Sequence, residues 1–192
     1  MYITFEGIDG CGKSTQIELL KPIYKDAIFT KEPGGTNFGV KAREILLHGN
    51  LKSSTAELYL FLADRAEHYK EIVEPNLQNV VISDRGFLSG IAYAITNDKS
   101  LNLDFLIELN RFALNGNFPQ KNILFKISKD ELTKRVQERG SMDKIEQRGF
   151  DYLMQIQENL FMVANKIGLD YLEIDATKDI GSIHKEILEY LL

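Results

Sequence analysis

The sequence predicts an α/β fold in which a five-stranded parallel sheet is covered by helices on both faces. Three observations carry that expectation. Five short runs rich in β-branched and aromatic residues (2–5, 27–30, 80–83, 122–127 and 171–174) alternate with longer stretches of helical period, a pattern that calls for parallel strands joined by crossover helices. The first run leads straight into Gly7-Ile8-Asp9-Gly10-Cys11-Gly12-Lys13-Ser14, which meets G-x-x-x-x-G-K-[ST] at every fixed position. Glu32, Asp84, Arg85 and Asp175 follow or end later runs, and ligands of such sheets bind at the carboxyl ends of the strands.

The 192 residues are 44% apolar with a net charge of −5, enough for one core and a single domain over 1–192. An acidic chain lacks the surplus of Lys and Arg that neutralises a phosphate backbone, which argues against non-specific nucleic-acid binding. No apolar run reaches the length of a membrane span and no leader pattern precedes the first strand, so a cytoplasmic protein without a membrane partner is expected. Cys11 is the only cysteine, and there are three histidines. A disulfide and a structural zinc set are therefore not expected; any metal should be Mg²⁺ arriving with a nucleotide.

In the Gly-rich loop, Gly7, Gly10 and Gly12 allow a tight turn whose N–H groups, from Ile8 through Thr15, cradle a polyphosphate at the positive end of the following helix. Lys13 is expected to bridge the outer phosphates and Ser14 to ligate Mg²⁺. The helix is expected over 16–24, with Ile17, Leu20 and Tyr24 on one face. After the second run, Thr30-Lys31-Glu32-Pro33-Gly34-Gly35-Thr36 reads either as an ordinary turn or as a ligand-binding loop that Pro33 stiffens and in which Glu32 lies near the phosphates. Helices are expected over 38–47 and 55–73, the second with Leu58, Leu62 and Ala66 inward. Phe61 and Arg65 project one above the other from a neighbouring stripe. They form either a core ring beside a surface cation or a platform on which a base stacks while the guanidinium binds an exocyclic oxygen.

The third run ends in Ser83-Asp84-Arg85-Gly86. A carboxylate after the apolar Val80-Val81-Ile82 is costly without a partner, so Asp84 is expected on Mg²⁺ and Arg85 on a phosphate, with a capping pair as the alternative. Ser89 and Tyr93, four apart, share a face that looks back at this site. A helix over 103–114 offers Leu106, Leu109 and Ala113 for the core or an oligomer interface, and Asn115-Gly116 closes it. A helix over 129–139 carries Arg135 and Arg139, Gly140 breaks it, and Ser141-Met142-Asp143-Lys144 follow. That stretch is either a charged surface hairpin or a lid, about 136–147, that excludes water and brings cations over the migrating group. The connections expected to move most are 98–103 and 139–143. Asp175 is a turn residue or lies where a base rests, and a helix over 179–192 closes the fold with Ile183, Ile187 and Leu191 inward.

In order along nearly the whole chain, Phe5-Glu6-Gly7-Ile8-Asp9-Gly10, the Glu32-Pro33-Gly34-Gly35 loop, Phe61 with Arg65, Asp84-Arg85, Ser89 with Ala92-Tyr93, Leu109-Asn110, Asn115-Gly116, Arg139-Gly140 with Asp143 and Asp175-Ala176 resemble the thymidylate kinase family. The resemblance implies a three-layer P-loop kinase fold with a short lid, transfer of the γ-phosphoryl of ATP to dTMP for dTTP synthesis, Mg²⁺, and a homodimer packed through helices. It also implies that Asp9 meets the 3′-hydroxyl of dTMP, Phe61 stacks on thymine, Arg65 donates to its O4, Arg85 and more weakly Arg43 bind the acceptor phosphate, and Tyr93 crowds the 2′ position. Gly10-Cys11 stand where some relatives place an Arg, so the catalytic cation is expected from Arg139, with Lys144 assisting and Arg135 flanking adenine.

Three positions depart from the family pattern: Gly86 replaces an aromatic, Gly90 a polar side chain and Ala94 a Gln. They suggest a roomier base pocket, with weaker dTMP binding or tolerance of larger base analogues. Two other readings stay open. A kinase for deoxynucleosides or another nucleoside monophosphate shares the loop, although Arg85 and Arg43 suit a phosphate acceptor. A GTP-dependent switch would need an Asn-Lys-x-Asp motif, and Thr96-Asn97-Asp98-Lys99 does not supply one.

Overall fold

A computed structural model of the chain describes residues 1–139 and 148–192, Arg139 by its backbone alone. Its strands are β1 (Tyr2–Glu6), β2 (Ile28–Lys31), β3 (Val81–Asp84), β4 (Lys121–Lys126) and β5 (Tyr171–Asp175). All pair in parallel, in the order β2-β3-β1-β4-β5. Each strand lies within one or two residues of its expected place. Residues 2–6, 81–83 and 122–125 of the inner strands are buried on both faces, so they show no alternation of buried and exposed positions.

The helices between them are α1 (Lys13–Leu20), α2 (Asn37–His48), α3 (Ser54–His68), α4 (Phe87–Asn97), α5 (Leu103–Ala113), α6 (Lys129–Arg139), α7 (Phe150–Ile167) and α8 (Ile180–Leu191). Ile183, Ile187 and Leu191 are all buried on α8, as its period predicts. From β1 the chain builds one flank of the sheet through β2 and β3, then the other through β4 and β5. The order of strands therefore reverses beside β1, and the crevice lies at its carboxyl end. Register makes this concrete: Phe5 stands opposite Asp84, which sets the Gly-rich loop and the end of β3 side by side.

Two helices differ from expectation. α1 stops at Leu20 instead of reaching Tyr24, because Pro22 has no N–H to continue the ladder; the chain goes on in turns, with Tyr24 N donating to Leu20 O at 2.8 Å. α3 keeps α-helical bonding only to His68, and Tyr69–Val73 follow as a π turn. Ala66, expected inward, is exposed, while Asp64, Arg65 and His68 are buried in its place. The hairpin expected at 139–143, Lys144 and most of the 136–147 lid lie outside the described residues. Among those residues, no helix is long and apolar enough to cross a membrane.

Ile82, at the centre of β3, is fully buried. Ile82→Ala should cost about 2–5 kcal/mol, read as a lower urea midpoint with an unchanged slope of the transition.

Candidate active site

The Gly-rich loop wraps the start of α1. Gly12 caps the helix at φ 99°, a left-handed geometry strained for any residue with a Cβ, and it delivers Lys13 and Ser14 into the first turn. Lys13 is buried, its Nζ donating to the carbonyls of Gly7 at 3.0 Å and Ile8 at 2.9 Å. Ser14 Oγ donates to Asp84 Oδ2 at 3.3 Å. The other oxygen, Asp84 Oδ1, is buried and has no hydrogen-bond partner among the described residues. A hydroxyl beside a carboxylate with an oxygen to spare suits a hard divalent cation. No three His, Cys, Asp or Glu side chains converge among the described residues, so such a cation would complete its shell with phosphate or water oxygens. Asp9, Lys13, Ser14, Thr15, Arg43 and Arg85 help line a cavity of about 410 Å³ here.

Arg85 holds the two sides of the crevice together. Its backbone is left-handed, φ 68°, a conformation a non-Gly residue keeps only when its surroundings over-determine it. The guanidinium donates to Gly7 O at 2.6 Å, Ser89 Oγ at 3.2 Å and Asp9 Oδ1 at 2.8 Å. Burial pushes the Asp9 carboxyl up, but Arg85 and then Lys13 outweigh it and bring its pKa down to about 2. Burial likewise works against the Arg85 cation, and Asp9 holds its pKa well above the usual value. Behind this pair, Ser89 Oγ donates to Glu6 Oε2 at 2.5 Å, and burial raises the Glu6 carboxyl above the ordinary range despite Ser89 and Arg85.

A second cavity, about 350 Å³, adjoins the first and shares Asp9, Glu32, Arg43 and Arg85 with it. Pro33, Phe61, Arg65, Ser89 and Tyr93 line it, so the structure gathers every residue read from sequence for an acceptor. Arg43 Nη1 donates to Pro33 O at 3.0 Å, and the Glu32–Pro33 peptide is cis. Arg65 is no surface cation: it is 2% exposed, and its Nε donates to Glu32 Oε2 at 2.9 Å. His68 Nδ1 lies 2.8 Å from Glu32 Oε1 and its Nε2 2.8 Å from Thr30 Oγ1. A carboxylate only accepts, so Nδ1 carries a hydrogen. Both Glu32 oxygens are thus taken by side chains of α3, although the residue faces both cavities. Burial pushes Glu32 up, yet Arg65 and His68 bring it below the usual range.

The roomier pocket expected from Gly86 and Gly90 is not found. A Cβ at 90 would stand 2.9 Å from Arg65 Nη1, and one at 86 would stand 2.9 Å from Thr4 Cγ2; both spaces are filled from elsewhere in the fold. Ala94 lies in a small neighbouring recess with Phe61 and Tyr93. At the other end, Arg135 pairs with Glu131 at 2.8 Å and donates to Gly10 O at 3.3 Å and Ala176 O at 2.5 Å. Asp175 turns its carboxylate to Thr177, accepting from N at 2.9 Å and Oγ1 at 2.6 Å, so its side chain serves the turn.

The sequence offers no role for Asp64, His68 and Arg148, and Asn110 enters it only within the matching Leu109-Asn110 motif, without a role. Arg148 lines the second cavity, held by Asn97 at 3.0 Å and Tyr152 at 2.8 Å. Its spacing, four before Tyr152, was the available signal. Asp64 accepts from Gly34 N at 3.2 Å, and burial followed by the nearby Glu32 raises its pKa to about 6. A carboxyl raised in the folded state favours the native protein while protonated, and that contribution is lost as pH rises from about 4 through about 6. Asp64→Asn keeps an acceptor for Gly34 and should raise the melting temperature at pH 8 by about 2–6 °C. The gain should vanish near pH 4, which calorimetry at several pH values would check.

The family model described as thymidylate kinase matches residues 5–187. Over the whole chain, the sequence is 52% identical to a thymidylate kinase of Campylobacter concisus, 98% of which is covered, and 54% identical to one from Sulfurovum sp., 99% of which is covered. The crystal structure of thymidylate kinase from Ehrlichia chaffeensis superposes with a TM-score of 0.74 at 28% identity, covering all of this chain and 98% of that one. With a Gly-rich phosphate loop, the Asp84-Arg85 pair and the Phe61–Arg65 cavity in one crevice, the chain belongs to the thymidylate kinase family.

Proposed function

We propose that the chain works in the cytoplasm as a single-domain enzyme that transfers the γ-phosphoryl group of ATP to dTMP, giving dTDP and ADP. The observation that carries this reading is the adjacency of the two cavities: one is lined by the phosphate loop, the other by an aromatic ring and a buried guanidinium, and Arg85 and Asp9 belong to both. Little covalent assistance is needed, since the acceptor phosphate is already an anion and has only to meet the γ-phosphorus in line. Gly7 through Thr15 hold the triphosphate by main-chain amides at the start of α1. Lys13 exchanges the carbonyls of Gly7 and Ile8 for phosphate oxygens. Ser14 and Asp84 are the residues that would hold Mg²⁺, which supplies charge neutralisation on the phosphates when bound.

Arg85, with Arg43 beside it, clamps the acceptor phosphate, and Asp9 orients Arg85 and meets the sugar hydroxyl. Phe61 stacks on thymine, Arg65 donates to its O4, Tyr93 closes on the 2′ carbon and Pro33 shapes the wall. A filled site at the 2′ carbon rejects an added hydroxyl sterically and by leaving it unpaired. Arg135 flanks adenine beside the Ala176 carbonyl. Arg139 is assigned the catalytic cation from the family resemblance. Tyr59, Phe105 and Phe112 are exposed on α3 and α5, the surface on which we place a homodimer, and light scattering at twice the chain mass would support it.

An assay coupled to ADP release tests the function: Mg·ATP with dTMP should turn over, and GMP should not. Absence of dTDP would overturn the reading. Arg85→Ala should lower kcat/KM for dTMP by about 100-fold or more. Arg139→Ala should lower kcat while leaving dTMP affinity intact; an unchanged kcat would move the catalytic cation to another residue.

A further inference from the structure

Arg65 reaches the acceptor cavity from α3 with three of its N–H bonds committed: Nε to Glu32 Oε2 at 2.9 Å, Nη1 to Asn110 Oδ1 at 2.6 Å and Nη2 to the Gly86 carbonyl at 3.0 Å. A guanidinium has five donors in one rigid plane, so three bonds to three different elements fix its orientation and leave two N–H bonds for the cavity it lines. Asn110 sits on α5 at 1% exposure. Its amide nitrogen donates to Leu106 O at 2.8 Å, which turns the amide oxygen towards Arg65. On α4, a Cβ at Gly90 would stand 2.9 Å from Nη1 and 3.0 Å from Nη2. The guanidinium occupies the volume that any side chain at 90 would take.

We propose that Asn110 is a positioning residue for pyrimidine recognition and Gly90 its steric counterpart, together holding the Arg65 guanidinium so that its two uncommitted N–H bonds meet the C4 carbonyl edge of the base. This rests on dTMP being the acceptor. Asn110 acts through Arg65 and does not touch the substrate. With leucine at 110, one Nη1 hydrogen faces an apolar side chain in a buried site, and the group must turn to find another acceptor. Aspartate preserves the acceptor. Alanine at 90 would press its methyl against the guanidinium and displace it.

Kinetics and calorimetry with dTMP, and with an analogue bearing hydrogen in place of oxygen at C4, separate the possibilities. Asn110→Leu and Gly90→Ala should each raise the KM and Kd for dTMP about tenfold or more, with kcat and the ATP KM within about twofold of the parent. Asn110→Asp, which keeps an acceptor for Nη1 but gives up the donor to Leu106 O, should retain more of the parent dTMP affinity than Asn110→Leu. For the C4-deoxygenated analogue, parent and variants should bind alike. Equal weakening of both ligands, a matching fall in kcat or ATP binding, or unchanged dTMP affinity in the variants would overturn the proposal. Should Asn110→Leu fail to fold, Gly90→Ala carries the same readouts. A parent protein that forms no dTDP would indict the functional reading itself, whereas a parent that turns over dTMP with C4-independent variants would indict only the positioning role.

Discussion

The ion pair between Arg85 and Asp9 is the contact on which the site depends. One partner follows β3 and the other sits in the loop after β1, so the pair exists only because those strands lie side by side in parallel with Phe5 opposite Asp84. Each charge makes the other more tolerable, since a half-buried guanidinium 14% exposed or a carboxylate 32% exposed is costly alone. Removing either leaves a partly desolvated charge without its partner. The same pair lines both cavities.

A second buried cluster shapes the cavity that Phe61 and Tyr93 line. Glu32 from the loop after β2 binds Arg65 and His68 of α3, Arg65 reaches Asn110 on α5 and the carbonyl before α4, and Asp64 ties α3 back to Gly34. Burying this much charge is a weak source of stability, because desolvation offsets most of the attraction. What it provides is geometry: four separate segments are pinned around one planar group, and the ring of Phe61 lies one helical turn away on the same helix.

The strands, the phosphate loop and the Asp84-Arg85 pair were legible in the sequence because each is encoded within a few neighbouring residues. The ring and guanidinium four apart on α3 were legible as a spacing, but whether Arg65 lay inside or outside was not. Its partners sit 33, 45 and 21 residues away in the chain, and no local period announces them. Apolar patterning placed Ala66 inward when the buried face of α3 in fact turns polar after Leu58, since Glu32 supplies partners that make burial of Arg65 and His68 tolerable. Asn110 was visible as part of a motif, but its contact with Arg65 was hidden for the same reason. Gly90 and Gly86 looked like missing side chains, and only the fold shows that Arg65 and Thr4 fill the space. The early end of α1, by contrast, was written in Pro22 and was open to a closer reading.

The left-handed backbone at position 85 sets two selective pressures against each other. Glycine would relax the main chain there at no steric cost, yet it would delete the charge that makes the crevice useful. The twist is held in place by the three acceptors the guanidinium reaches, Gly7 O, Ser89 Oγ and Asp9 Oδ1, so a shortened side chain at 85 would release the main chain as well as the charge.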